Sequence, residues 1–104
     1  MAILTVFRSR LKAGVEELYD TLAEEASVLA RQTPGLVEEK TFTAADGERA
    51  TIVLFANRQS HEVWRDHPRH REIQTIGRTQ LYAEYHVYTA EVDYSQSFVV
   101  DALS

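Results

Sequence analysis

The sequence predicts an α+β domain with elements in the order βαββαβ, building one antiparallel four-stranded sheet covered on a single face by its helical segments. Three observations carry this expectation. Four runs are rich in β-branched and aromatic residues. A 3.6-residue apolar period fills the gap after the first run and recurs after the third. Gly and Pro stand at the junctions between them. With 104 residues there is room for one domain and not two.

Residues 2–9 (AILTVFRS) open as the first strand, and Gly14 punctuates the loop after it. Over 15–33 the apolar positions Val15, Leu18, Tyr19, Leu22, Ala26, Leu29 and Ala30 fall on one helical face. Glu16 and Glu17 near its start and Arg31 near its end suit the helix dipole. Thr33-Pro34-Gly35 stops it. The second strand is Leu36–Thr43, Asp46-Gly47 makes a hairpin turn, and 48–57 is the third strand. A short helix over 58–66 is expected to be interrupted by Pro68, which biases His67 away from helical geometry. The period resumes over 69–78, and 81–92 forms the last strand. Residues 1–94 thus make the ferredoxin-like domain, and 95–104 a tail.

Composition excludes several classes. The balance of hydrophobic (44%) and charged (26%) residues is that of a globular domain. Sixteen acidic against eleven basic residues give a net charge of -5, opposite in sign to a nucleic-acid or anionic-membrane footprint. The absence of cysteine removes disulfides, thiolate catalysis and thiolate metal sites. The apolar runs at 2–7 and 52–56 are too short for a signal peptide or a membrane span. A cytoplasmic protein is expected.

The central strands carry the most informative pattern. Ile3 and Phe7 face one way and Leu4 and Val6 the other; Val53 and Phe55 oppose Ile52, Leu54 and Ala56. Helices cover only one face, whereas a sheet with one wet face alternates apolar with polar. Leaving each such side chain in water forgoes roughly 1.5–3 kcal/mol. A second copy packed sheet to sheet resolves the conflict, so a homodimer is expected, disrupted by Asp at whichever of Leu54 or Phe55 faces outward.

No phosphate-binding loop, dinucleotide fingerprint or nucleophile elbow is present. What stands out is Trp64-Arg65-Asp66-His67-Pro68-Arg69-His70, followed by Gly77-Arg78 and Tyr82-Ala83-Glu84-Tyr85. Imidazole titrates near neutrality and suits a general base, while Trp and Tyr wall small-molecule pockets. Each has a plainer reading: Trp64 as a core residue, His67 as a helix cap, His70 as a solvated side chain, the tyrosines as an edge strand. His61, His67 and His70 mimic a metal triad, but Pro68 breaks the register and no metal is expected.

These motifs, in this order and spacing, resemble the antibiotic biosynthesis monooxygenase (ABM) family of dimeric α/β barrels. The resemblance spans Ile3 to Tyr94 and rests on Pro34-Gly35, Asp46-Gly47, Trp64-Arg65-x-His67-Pro68-x-His70, Gly77-Arg78 and Tyr82-x-x-Tyr85. It implies oxygenation of a small phenolic aromatic, of quinol or anthrone type, by O2 without metal or organic cofactor. His67 or His70 would be the base, with Trp64, Tyr82, Tyr85, Phe55 and Asn57 binding substrate. A heme-degrading branch of the same family pairs an Asn on the first strand with a Trp and a His. Here Phe7 and Gln74 stand near the Asn and His positions, which disfavours heme degradation. A non-catalytic dimeric small-molecule or heme-binding module is the competing reading.

Overall fold

The computed structural model describes residues 1–101. Its elements are β1 (Ile3–Leu11), α1 (Glu16–Gln32), β2 (Leu36–Thr43), β3 (Arg49–Phe55), α2 (Arg58–Arg65), α3 (Pro68–Ile76) and β4 (Tyr82–Glu91). The strands form one antiparallel sheet in the order β2-β3-β1-β4, the ferredoxin-like arrangement expected, with β1 and β3 central. Among the described residues no helix is long and apolar enough to cross a membrane. Residues 92–100 form no regular element, and Phe98 and Val99 are exposed; the last three residues of the expected tail lie outside the described residues.

Two local details differ from the sequence expectation. Pro68 does not interrupt a helix; it is the first residue of α3, where the amide it lacks would have no helical acceptor anyway. His67 caps that helix, its Nδ1 accepting from the Arg69 amide at 3.1 Å. And the chain does not pass directly from α3 into β4, because a π-turn over Gly77–Leu81 intervenes.

Strand parity divides the sheet cleanly. Ile3, Thr5 and Ser9 of β1 and Val53 and Phe55 of β3 are buried on the helix-covered face. Leu22 of α1 and Ile73 of α3 pack with Leu81 to close the layer above them. Leu4, Val6, Ile52 and Leu54 lie on the other face, which no helix covers. Beside them Phe42 is 47% exposed and Tyr88 55%. Arg8–Glu48 at 3.0 Å and Lys40 over the Phe42 ring at 5.1 Å fringe this apolar field. Of the two positions considered for an outward Asp, only Leu54 therefore faces outward; Phe55 is fully buried beneath α2.

The loop after α1 is locked to the start of α2. Gly35 has φ +98, its carbonyl accepts from the Ala56 amide at 2.8 Å, and a Cβ there would stand 2.7 Å from Ser60 Cβ. Gly35→Ala thus combines a left-handed backbone with a clash, and is expected to cost about 2–4 kcal/mol. Thermal unfolding should show a Tm lowered by roughly 8 °C or more; an unchanged Tm would mean the loop is not fixed as described.

Candidate functional site

Between the covered face of the sheet and the helices lies a cavity of about 450 Å³. That is within the range of small-molecule sites. The sheet contributes Thr5, Phe7, Val53 and Val87, while α1 contributes Leu22, Ala23 and Ala26. Its chemistry comes from α2, α3 and β4: His61, Trp64, His70, Gln74, Tyr82 and Tyr85.

The break between α2 and α3 makes the key contact. A helix leaves its last carbonyls without helical partners, and the Trp64 carbonyl at the end of α2 is met at 3.1 Å by Nδ1 of His70. A carbonyl only accepts, so Nδ1 carries the hydrogen and Nε2 keeps a free lone pair. Gln74 Nε2 also approaches Nδ1, at 3.5 Å, but that distance is long and the nitrogen already donates to the carbonyl. The His70 ring stacks on the Trp64 indole with centroids 4.2 Å apart and planes at 28°. Burial pushes its pKa below the ordinary 6.5, outweighing the backbone hydrogen bonds that favour the cation. His70 is therefore a neutral, oriented imidazole at pH 7.

An aromatic wall closes one end. Phe7 stacks on Tyr85 at 5.4 Å and meets Tyr82 edge-on at 5.2 Å; Tyr19 meets Tyr82 at 6.5 Å. Arg49 caps the Tyr19 ring from outside, 4.8 Å from its centroid. Desolvation pushes the Tyr82 phenol up to about 12, so it is a hydrogen-bond donor and not a base at neutral pH. Its ring lies against the backbone of the π-turn: a Cβ on Gly77 would come within 2.6 Å of Tyr82 Cε2. Polar residues on the covered face are paired with one another, Thr5 with Thr89 at 2.9 Å and Thr41 with Thr51 at 2.7 Å. Ser27 donates to Glu39 at 2.7 Å. At the rim Asp66 is held between Arg65 (2.9 Å) and Arg71 (2.7 Å), which keep its carboxyl at about 2.

Of the residues singled out from sequence, Trp64, His70, Tyr82 and Tyr85 converge on this cavity. The other three do not line it. His67 is exposed and spent on capping α3. Asn57 caps α2, its Oδ1 accepting from the Ser60 amide at 2.8 Å. Phe55 is 0% exposed and backs the wall from behind, 5.5 Å from Trp64 and 6.2 Å from His61. Sequence reading did not assign Phe7, Tyr19 or Gln74 to the pocket; only their spacing on the covered faces of β1, α1 and α3 marks them. Among the described residues no three His, Asp or Glu side chains gather as a metal site requires.

No protein-family model matches the chain. Uncharacterized protein YqjZ of Bacillus subtilis (strain 168) is 29% identical over 93 residues, 89% of this chain and 82% of its own length. Solved structures share the fold at low identity. Rv0793 from Mycobacterium tuberculosis superposes with a TM-score of 0.79 at 15% identity, over 92% of this chain and 100% of that one. SnoaB, a cofactor-independent oxygenase from Streptomyces nogalater, gives 0.77 at 11%, over 90% and 95%. An antibiotic biosynthesis monooxygenase gives 0.74 at 12%, over 86% and 97%. The fold is thus the one these oxygenases use.

The buried imidazoles set a pH dependence. His61 and His70 both have folded-state pKa values below 6.5, mainly through desolvation. The unfolded chain therefore takes up protons, as pH falls through 6.5, that the folded chain refuses. Stability is full above 6.5 and declines on acidification until the folded-state values are reached. Carboxylates depressed by their arginines, such as Asp66, titrate below that window. His70→Gln should flatten the fall in Tm between pH 7.5 and 5.5; a fall as steep as the wild type's would show that His70 is not buried neutral.

Proposed function

We propose that the protein is a cofactor-independent monooxygenase that oxidises a flat phenolic substrate, of quinol or anthrone type, with O2 in this cavity. The observation that carries the reading is His70: neutral, with Nδ1–H held by the Trp64 carbonyl, Nε2 free, and its ring stacked on an indole in a largely apolar pocket. Likeness of fold to SnoaB and to an antibiotic biosynthesis monooxygenase supports the reaction class. Fold alone does not set chemistry, and the assignment rests on the site.

His70 Nε2 takes the proton from the ring carbon or hydroxyl, leaving an electron-rich carbanion or phenolate. One electron passes from that anion to O2, giving an organic radical and superoxide, which combine into a peroxide anion. The imidazolium returns its proton to the peroxide. Loss of the remaining hydrogen from the same carbon with cleavage of the O–O bond releases water and leaves a carbonyl, so CH2 and O2 become C=O and H2O. The chain's part is to hold the ring against Trp64, Tyr82 and Phe7, to keep water out, and to move one proton. Neither His67 nor Asn57 has a part in this, since both are engaged in helix caps.

The open sheet face belongs to the same proposal. A second copy laid on Leu4, Val6, Ile52 and Leu54 forms a homodimer and removes the largest uncovered apolar surface of the fold.

Oxygen consumption with an anthrone or a naphthohydroquinone tests the activity. His70→Ala should lower turnover by about 10²- to 10⁴-fold while leaving the fold intact. Saturable binding of the ring with no oxygen uptake by the wild type favours the non-catalytic binding module. For the assembly, Leu54→Asp should convert a dimer to a monomer in sedimentation analysis; a wild type that sediments as a monomer at micromolar concentration removes the second copy.

A further inference from the structure

Two polar atoms of the cavity wall remain without a partner. His61 is 4% exposed, and its Nδ1 is buried and unbonded. The Trp64 indole Nε1 is likewise buried and unbonded. Both residues line the cavity, and their rings lie 6.5 Å apart between centroids. Leaving either group unpaired costs about 1–3 kcal/mol, and native proteins retain few such groups. The remaining polar side chains nearby are paired: His70 Nδ1 with the Trp64 carbonyl, and Arg65 with Asp66. Phe55 fills the space behind both rings and offers nothing to bond.

We propose that His61 Nδ1–H and Trp64 Nε1–H together form a binding site for one oxygen atom of a ligand, a carbonyl or phenolate on the edge of an aromatic ring. Trp64 is a donor only, and neutral His61 presents a hydrogen on Nδ1 by choice of tautomer. An oxygen seated between rings separated by 6.5 Å has room to lie at about 2.9 Å from a nitrogen of each. The inference rests on the cavity being the substrate site proposed above, and it assigns His61 a role distinct from that of His70. His70 accepts a proton, whereas His61 and Trp64 donate to the oxygen on which negative charge then accumulates. Such fixed donors hold a developing anion without reorganisation. The ligands so selected carry oxygen on the ring edge that meets α2, and plain hydrocarbons of the same shape are discriminated against.

Calorimetric titration with 1-tetralone, which accepts a hydrogen bond, and with tetralin, its hydrocarbon counterpart, separates this inference from the reading it rests on. A merely apolar pocket prefers tetralin, because the ketone surrenders its hydrogen bonds to water on entry. The wild type should instead bind tetralone at least tenfold more tightly. His61→Leu should erase that preference while leaving tetralin affinity within about threefold, which also shows that the pocket survives. His61→Asn, which keeps a donor near the Nδ1 position, should restore most of it, and Trp64→Phe should reduce it with the ring retained. Binding of neither compound removes the substrate-site reading itself. Equal or reversed preference in the wild type, or a preference untouched in His61→Leu, leaves that site standing and overturns the oxygen subsite.

Discussion

One hydrogen bond organises the site: the Trp64 carbonyl receiving Nδ1–H of His70 at 3.1 Å. It exists because the chain stops one helix and starts another within three residues. Had α2 continued into α3, the Trp64 carbonyl would have bonded an amide four residues on, and no side chain would have been needed to satisfy it. Pro68 prevents that continuation, since it brings no amide hydrogen and begins its own helix. His67 and Asp66 then supply the two ends of the break, one capping α3 and the other tied to Arg65 and Arg71. The segment that looks like a cluster of candidate catalytic residues is thus mostly joinery, and the joinery is what aims His70.

The sheet solves a second problem in the same piece of structure. Its covered face carries threonines and a serine among the apolar residues, and the hydroxyls bond in cross-strand pairs such as Thr5 with Thr89. Self-paired hydroxyls neither demand water nor attract it, so this floor is polar in composition yet dry in behaviour. Against it the aromatic wall of Phe7, Tyr82 and Tyr85 offers flat surface. Gly77 matters here because the π-turn must leave room for the Tyr82 ring against its backbone. The opposite face has no such interior chemistry; its Leu4, Val6, Ile52 and Leu54 are a surface for packing.

Much of this was legible in the sequence. The order of elements, the central position of β1 and β3 and the two-sided apolar pattern all follow from short-range periodicity, which fixes strand faces by parity. Trp64, His70, Tyr82 and Tyr85 were recognisable as a group because aromatic and imidazole side chains near a helix break are unusual. His67 could not be separated from His70 on sequence grounds: both flank Pro68, and only the course of the backbone decides which ring turns inward. Asn57 is likewise ambiguous, since its place before Arg58 suits a cap as well as a pocket. Phe55 and Leu54 differ by one residue and hence by one face, and it took the register Ile3↔Phe55 to say which was covered. The π-turn left no periodic trace, as a single inserted residue shifts phase without changing composition.

The donors and acceptors in the cavity have complementary duties, and this bears on why its histidines are kept neutral. A cation at His70 has no lone pair to offer, so a base in this position must refuse the proton it would hold in water. Desolvation achieves that refusal, at the expense of stability when the medium is acidified. The same desolvation raises Tyr82 to about 12 and keeps it a donor. One physical cause therefore pushes the two groups in opposite directions, and both outcomes favour moving a proton from a phenol or activated carbon to imidazole at neutral pH. A wetter pocket would weaken the pair together, which is why the packing of α1 and α3 over the sheet belongs to the chemistry as much as the ring of His70 does.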